Sequence, residues 1–221
     1  MGDTNQLLFV ERHARRFSGP YLEVGSKDYG STQDLRSLFR GPCEYIGVDR
    51  EAGPGVDLVL DLAGDFASVD AALGGRRFGT IFCLSVLEHV EQPFRMADNL
   101  TRLLAPDGWL CVAVPFAFKF HGYPSDYWRF THEGIRKLFP ELRFRAEDGT
   151  AATSRAGDFH PLDDGIGRID FSVKSHCRRG RILRGISAGS LWALSSLGWF
   201  RWLAGHRYVL APTMILMIGR R

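Results

Sequence analysis

A chain of 221 residues that is 45% hydrophobic can bury one sizeable core and needs no second domain. Its four cysteines, Cys43, Cys83, Cys111 and Cys177, show no C-x-x-C spacing, which argues against a disulfide scaffold or a zinc site and for a reduced, cytoplasmic setting. The net charge of +3 hides a polarity: nine of the 28 Lys/Arg and none of the 25 Asp/Glu fall in Phe171–Arg221, so the C-terminal part either meets an anionic surface, membrane or acidic partner, or balances an acidic main body.

The opening MGDTNQLLFVERHARRF has acidic residues early and no long apolar core, and does not read as a secretory signal. Tyr21 to Gly25 reads as a strand turning on Gly25, Thr32 to Phe39 as a helix, Tyr45 to Asp49 as a second strand and Asp57 to Asp61 as a short third. A helix over Phe66 to Leu73 precedes a buried strand at Phe78 to Leu84. Pro93 to Leu104 is helical, with Pro93 at the favoured first position and Ala105-Pro106-Asp107-Gly108 as its stop. Trp109 to Val114 is the next strand, Thr131 to Leu138 a helix capped by Thr131, and Leu142 to Ala146 a further strand. This alternation predicts a mostly parallel sheet covered by helices on both faces.

The last third breaks the pattern. Gly149 to Arg184 reads as loop with short ordered pieces. Ile186 to Leu203 is apolar and near membrane-spanning length, but two glycines, four serines and Arg201 weaken a span. Core packing or a dimer contact is one reading; anchoring at a membrane interface through Trp192, Trp199, Phe200 and Trp202 is the other. Tyr208 to Ile218 is a final strand that Pro212 pushes toward an edge or a bulge. Gly185-Ile186-Ser187-Ala188-Gly189 has the letters of a hydrolase nucleophile elbow, but RILR precedes it instead of a buried strand.

LEVGSKDYGS, Leu22 to Ser31, puts a glycine turn at the carboxyl edge of the first strand, where α/β folds bind nucleotide-like cofactors. It lacks the middle glycine of a dinucleotide fingerprint, and Ser31 stands where a phosphate loop needs lysine. Glu23 and Gly25 fit the start of a third kind of loop, Asp49 closes YIGVD, and Asp61 ends VDLVLD. CLSVLEHV, Cys83 to Val90, is followed by Pro93 and then LLAPDGWLCVAVP. In this order and spacing the chain resembles the class I S-adenosylmethionine-dependent methyltransferases, from about Tyr21 to Ala146 and again in the last strand. Lys27 and Tyr29 stand in place of that family's second and third loop glycines.

The resemblance implies a Rossmann-like α/β fold: a seven-stranded, mostly parallel sheet with helices on both faces. Residues 1–221 would form a single domain, with 149–207 inserted before the last strand as a cap. It further implies that Glu23, Gly25, Ser26, Asp49, Arg50, Asp61, Leu84 and Ser85 hold S-adenosylmethionine, with Asp49 on the ribose hydroxyls and Asp61 beside the adenine.

Pro115 to Thr131, PFAFKFHGYPSDYWRFT, crowds His121, Tyr123, Asp126, Tyr127, Trp128 and Arg129 together after the fifth strand. A sulfonium methyl already has a good leaving group, so the protein mainly aligns the nucleophile and removes its proton, work suited to a neutral imidazole. The H-x-x-P-x-D-Y-x-R-F-T pattern resembles that of bacterial sugar- and polysaccharide-tailoring methyltransferases. This implies O-methylation of a sugar, oligosaccharide or related metabolite, with His121 as general base and Tyr123, Asp126 and Tyr127 contacting the acceptor. Pairing of Arg129 with Asp126 would brace the loop, and His89 reads as structural. No metal is expected; His160, Asp163 and Asp164 read as a solvated loop. Competing readings are a protein, RNA or lipid-linked acceptor recruited by the basic tail, and a non-catalytic binding relative; nucleic acid is disfavoured because the basic residues lie partly in an apolar segment. Homodimerisation and peripheral membrane contact through 186–203 complete the expected partners.

Overall fold

The computed structural model describes residues 4–30, 34–122, 125–153, 157, 159–160, 162, 172–178, 180–197 and 213–221. Met1–Leu162 together with Thr213–Arg221 packs as one unit, and Asp163–Pro212 as another.

In the first unit eight strands form one sheet. They are β1 (Tyr21–Val24), β2 (Tyr45–Asp49), β3 (Leu58–Val59), β4 (Phe78–Leu84), β5 (Leu104–Pro115), β6 (Thr150–Thr153), β7 (Phe159–His160) and β8 (Met214–Arg220). Their order is β3-β2-β1-β4-β5-β8-β6-β7. The five strands from β3 to β5 run parallel, and β8, β6 and β7 each pair antiparallel with their neighbours. This is the expected α/β fold, with eight strands in place of seven.

Strand alternation divides the apolar residues between two cores. Leu22, Val24, Ile81, Cys83, Leu110 and Val112 face one, where α2 (Phe66–Ala72), α3 (Pro93–Leu103) and α4 (His132–Leu138) contribute Val69, Met96, Leu100, Ile135 and Leu138. Tyr21, Phe82, Cys111, Ala113, Leu216 and Ile218 face the other, which α1 (Thr4–His13) covers with Phe9 and Val10. Central β4 is accordingly buried on both faces, as a parallel strand under two helical layers must be. Asp65 caps α2 by accepting from the Ser68 N–H, and Thr131 caps α4 by accepting from Gly134.

Several boundaries differ from the sequence expectation. Leu142–Ala146 is not a strand: only Arg143 pairs, bridging Arg220, while the Phe144 ring lies on the sheet where Gly219 has no Cβ. A helical turn, α5 (Ala146–Gly149), follows, and β6 takes the place beside β8. Of the expected helix over Thr32–Phe39, the described part is a 3-10 turn at Arg36–Phe39. β5 begins at Leu104, so the Ala105–Gly108 turn is an irregularity inside the strand, with Asp107 at positive φ.

The second unit contains α6 (Val173–Arg178) and α7 (Ile182–Ser196). Ser187 of the G-x-S-x-G match lies within α7, donating to the Leu183 carbonyl, so that segment makes no nucleophile elbow. Leu183, Trp192, Ile186 and Leu197 are exposed. Among the described residues no helix is long and apolar enough to cross a membrane. Trp199, Phe200 and Trp202, residues 208–212 of the expected last strand, and Asp163 and Asp164 lie outside the described residues.

Candidate active site

Parallel strands end on the same edge, so the turns after β1, β2 and β4 meet. They enclose a cleft of about 210 Å³ lined by Gly25, Tyr29, Val48, Asp49, Arg50, Glu51, Leu60, Leu62, Ser85 and His89, among others. Gly25 makes the cleft possible. It sits at φ +72°, and a Cβ there would lie 2.6 Å from Val86 Cγ2, so any side chain would be both strained and in collision. Its N–H donates to the Val48 carbonyl at 2.8 Å, which ties the turn to β2.

Asp49 ends β2 on the cleft wall. Its carboxylate accepts from the Glu51 N–H at 3.0 Å and the Lys27 N–H at 3.3 Å, so backbone donors aim it. The two non-glycine loop residues take separate paths. Lys27 swings to Glu51, with Nζ–Oε2 2.6 Å, and its aliphatic stem covers Gly53. Tyr29 joins the cleft wall, its ring 5.1 Å from the Lys27 ammonium. Arg50 lines the cleft and approaches Asp61 at 3.8 Å.

The other expected donor-binding residues lie around this wall. The Glu23 carboxylate accepts from the Tyr45 hydroxyl at 2.8 Å, and burial raises its pKa. Ser26 is buried behind the loop, where a Cβ on Gly47 would meet it, and its Oγ has no hydrogen-bond partner among the described residues. Asp61 turns back to accept from the Ala63 N–H at 2.9 Å, while its neighbours Leu60 and Leu62 face the cleft. Leu84 packs against the second core. Ser85, at φ +54°, lines the cleft and accepts from Gln6 Nε2 at 2.5 Å. Gln6 comes from α1, which the sequence reading did not anticipate.

The other end of the cleft lies after β4 and β5. Glu88 and His89 occupy a 3-10 turn, Leu87–His89, and are both buried. Burial pushes the Glu88 carboxyl up to about 8 and lowers the His89 imidazole. His89 Nδ1 lies 2.5 Å from the Ser125 carbonyl, while its Nε2 and Glu88 Oε2 have no hydrogen-bond partner among the described residues. The His121 ring stands edge-on to His89 at 5.0 Å, with Nδ1 3.2 Å from both Asp126 Oδ2 and the Lys119 carbonyl. These acceptors assign the ring proton to Nδ1 in both histidines and leave the Nε2 lone pairs available.

Asp126 is fixed from two sides. Arg129 grips both its oxygens, at 2.5 and 2.7 Å, and the His121 N–H donates to it at 2.9 Å. The Arg129 bonds hold its carboxyl far below the usual carboxylate range. Tyr127 is exposed, its N–H bonded to the Glu88 carbonyl at 2.8 Å, and the Trp128 indole donates to the Val90 carbonyl. Tyr123 lies outside the described residues.

Residues 7–153 match the family model described as a methyltransferase domain. No curated protein matches the chain by sequence. The structure is similar to that of a SAM-dependent methyltransferase from Archaeoglobus fulgidus, with a TM-score of 0.58 at 14% identity over 100% of this chain and 95% of that one. A second such enzyme, from Mesorhizobium loti, aligns with a TM-score of 0.54 at 12% identity over 100% and 99% of the two chains. The Burkholderia thailandensis 1,6-didemethyltoxoflavin-N1-methyltransferase, solved with 1,6-didemethyltoxoflavin and S-adenosylhomocysteine bound, gives 0.52 at 12% identity over 99% and 79%. The sequence match over most of the chain and the shared sheet agree: this chain belongs to the methyltransferase domain family and has the Rossmann-like fold of the S-adenosylmethionine-dependent methyltransferases.

Proposed function

We propose that the chain transfers the methyl group of S-adenosylmethionine to a hydroxyl of a small acceptor, with a sugar, oligosaccharide or related metabolite as the acceptor class. The observation that carries the donor half is the pairing of Gly25 and Asp49 on one cleft. The side-chain-free turn leaves room for a ligand against the backbone, and a carboxylate stands where ribose hydroxyls need an acceptor. Val48, Leu60, Leu62 and Met96 supply apolar wall for a flat base. The donor, when bound, supplies a methyl group on a sulfonium leaving group.

The chain's own residues then bind, orient and remove a proton. His89, which lines the cleft, and His121 beside it are the candidate bases, and either imidazole can accept a hydroxyl proton. Asp126, braced by Arg129, is a positioning residue that holds the His121 ring. Exposed Tyr127 offers an aromatic face to an acceptor.

Calorimetric titration of S-adenosylhomocysteine tests the donor half. Label transfer from methyl-labelled donor to a panel of sugars, phenols and amines tests the acceptor half. Sugar methylation is the expected result; transfer to amines alone would replace the acceptor class and leave the donor assignment standing.

A further inference from the structure

We propose that Glu88, His89 and His121 bind a divalent transition-metal cation at the acceptor end of the cleft, a reading that rests on the methyl-transfer function and names what holds the acceptor. One ligand atom from each of the three residues lies within 4.8 Å of the others. Glu88 is 1% exposed, and among the described residues its Oε2 has no hydrogen-bond partner. His89 Nε2, equally unpartnered, lies 3.9 Å from the other Glu88 oxygen. A buried carboxyl oxygen and a buried imidazole nitrogen on adjacent residues, each without a partner, are disfavoured in a folded protein unless a ligand completes them.

The two rings are already aimed. The Ser125 carbonyl accepts a hydrogen bond from His89 Nδ1–H, and Asp126 with the Lys119 carbonyl accepts from His121 Nδ1–H. Metal-binding histidines are oriented in this way, by a carbonyl or carboxylate on the ring nitrogen that does not touch the metal. Arg129 fixes Asp126 in turn.

Two imidazoles and one carboxylate form a donor set that zinc accepts with a fourth position open; magnesium and calcium favour oxygen-rich sites. Metal bonds of about 2.0–2.2 Å in tetrahedral geometry place ligand atoms roughly 3.4 Å apart. Small side-chain rotations, chiefly of His121 on its irregular loop, would close the set. Because His89 lines the cleft, the open position faces the space beside the donor. A hydroxyl or carboxylate oxygen of the acceptor bound there would be held and polarised. With the ion present the imidazoles serve as ligands; without it, one of them takes the proton.

Cobalt(II) titrated into the chelator-treated full chain reads the site without turnover, through the intensified visible d–d bands of low-coordinate cobalt. The expected result is one cobalt bound, displaced by zinc, with affinity falling at least about tenfold in both His121→Ala and Glu88→Gln. Thermal unfolding checks that each variant folds, and His121→Ala, at a half-buried loop position, keeps the test open if Glu88→Gln does not. Absence of the bands, or equal bands in a folded variant, overturns the proposal. Failure of the wild type to bind S-adenosylhomocysteine while it binds cobalt would instead sink the donor assignment.

Discussion

Asp49 and Glu88 are carboxylates at the same edge of the sheet, after β2 and β4, and burial separates them. Asp49 stands on the cleft wall, aimed by the Lys27 and Glu51 N–H groups. Glu88 is sealed in, its carboxyl raised by burial and one oxygen unpaired. At the β1–β2 end Lys27 is paired to Glu51 and Gly25 is tied to Val48. The β4–β5 end holds Glu88 Oε2 and His89 Nε2, which have no hydrogen-bond partner among the described residues. In the proposed function the first end takes the methyl donor and the second takes the acceptor or, by the further proposal, an ion.

The sharpest way to break this comparison is Gly25→Val. Positive φ in a β-branched residue costs about 1–3 kcal/mol, before the collision with Val86 is counted. Loss of measurable S-adenosylhomocysteine binding is expected, with a Tm lower by more than about 4 °C. Asp49→Ala comes next: losing hydrogen bonds to a charged group worth about 1.5–3 kcal/mol should weaken that binding roughly 10–100-fold while Tm holds. At the other end, Arg129→Lys keeps the charge but loses the fork on Asp126. Turnover should fall about tenfold with donor affinity unchanged, since misplacing a catalytic group affects rate more than ground-state binding. Equal loss in both would show that the ends are not separable.

A fourth effect is smaller and depends on pH. Burial raises the Glu23 pKa above 4.5 in the folded chain, so its contribution to stability is full below the unfolded pKa and lost as pH rises through the folded one. Glu23→Gln, which can still accept from Tyr45, should raise Tm at pH 7 by a few degrees, with the gain vanishing below about pH 4.5. Smallest of all, Lys27→Gly should change donor affinity only a few-fold, because the lysine pairs with Glu51 at the exposed rim.

The donor end was readable in the sequence because its determinants are local. YIGVD is a strand whose last residue must reach the sheet edge, and Gly25 follows β1 directly. The acceptor end was legible in part: the sequence singled out the His121 loop and its Asp126–Arg129 brace, but Glu88, His89 and Ser125 join it only after β4 and β5 pair. His89, read as structural, lines the cleft. Asp126, read as an acceptor contact, has both oxygens engaged by Arg129. α1 escaped notice because two of its four buried residues, Asn5 and Gln6, are polar and blur the apolar stripe. The LRFRA alternation suggested a strand, yet Phe144 uses the space above Gly219 to pack on the sheet rather than extend it.

Calorimetric titration of S-adenosylhomocysteine into the wild type and Asp49→Ala tests the central claim most directly. The account predicts saturable one-site binding to the wild type, severely weakened in the folded variant. No binding to the wild type, or equal binding to both, would contradict it.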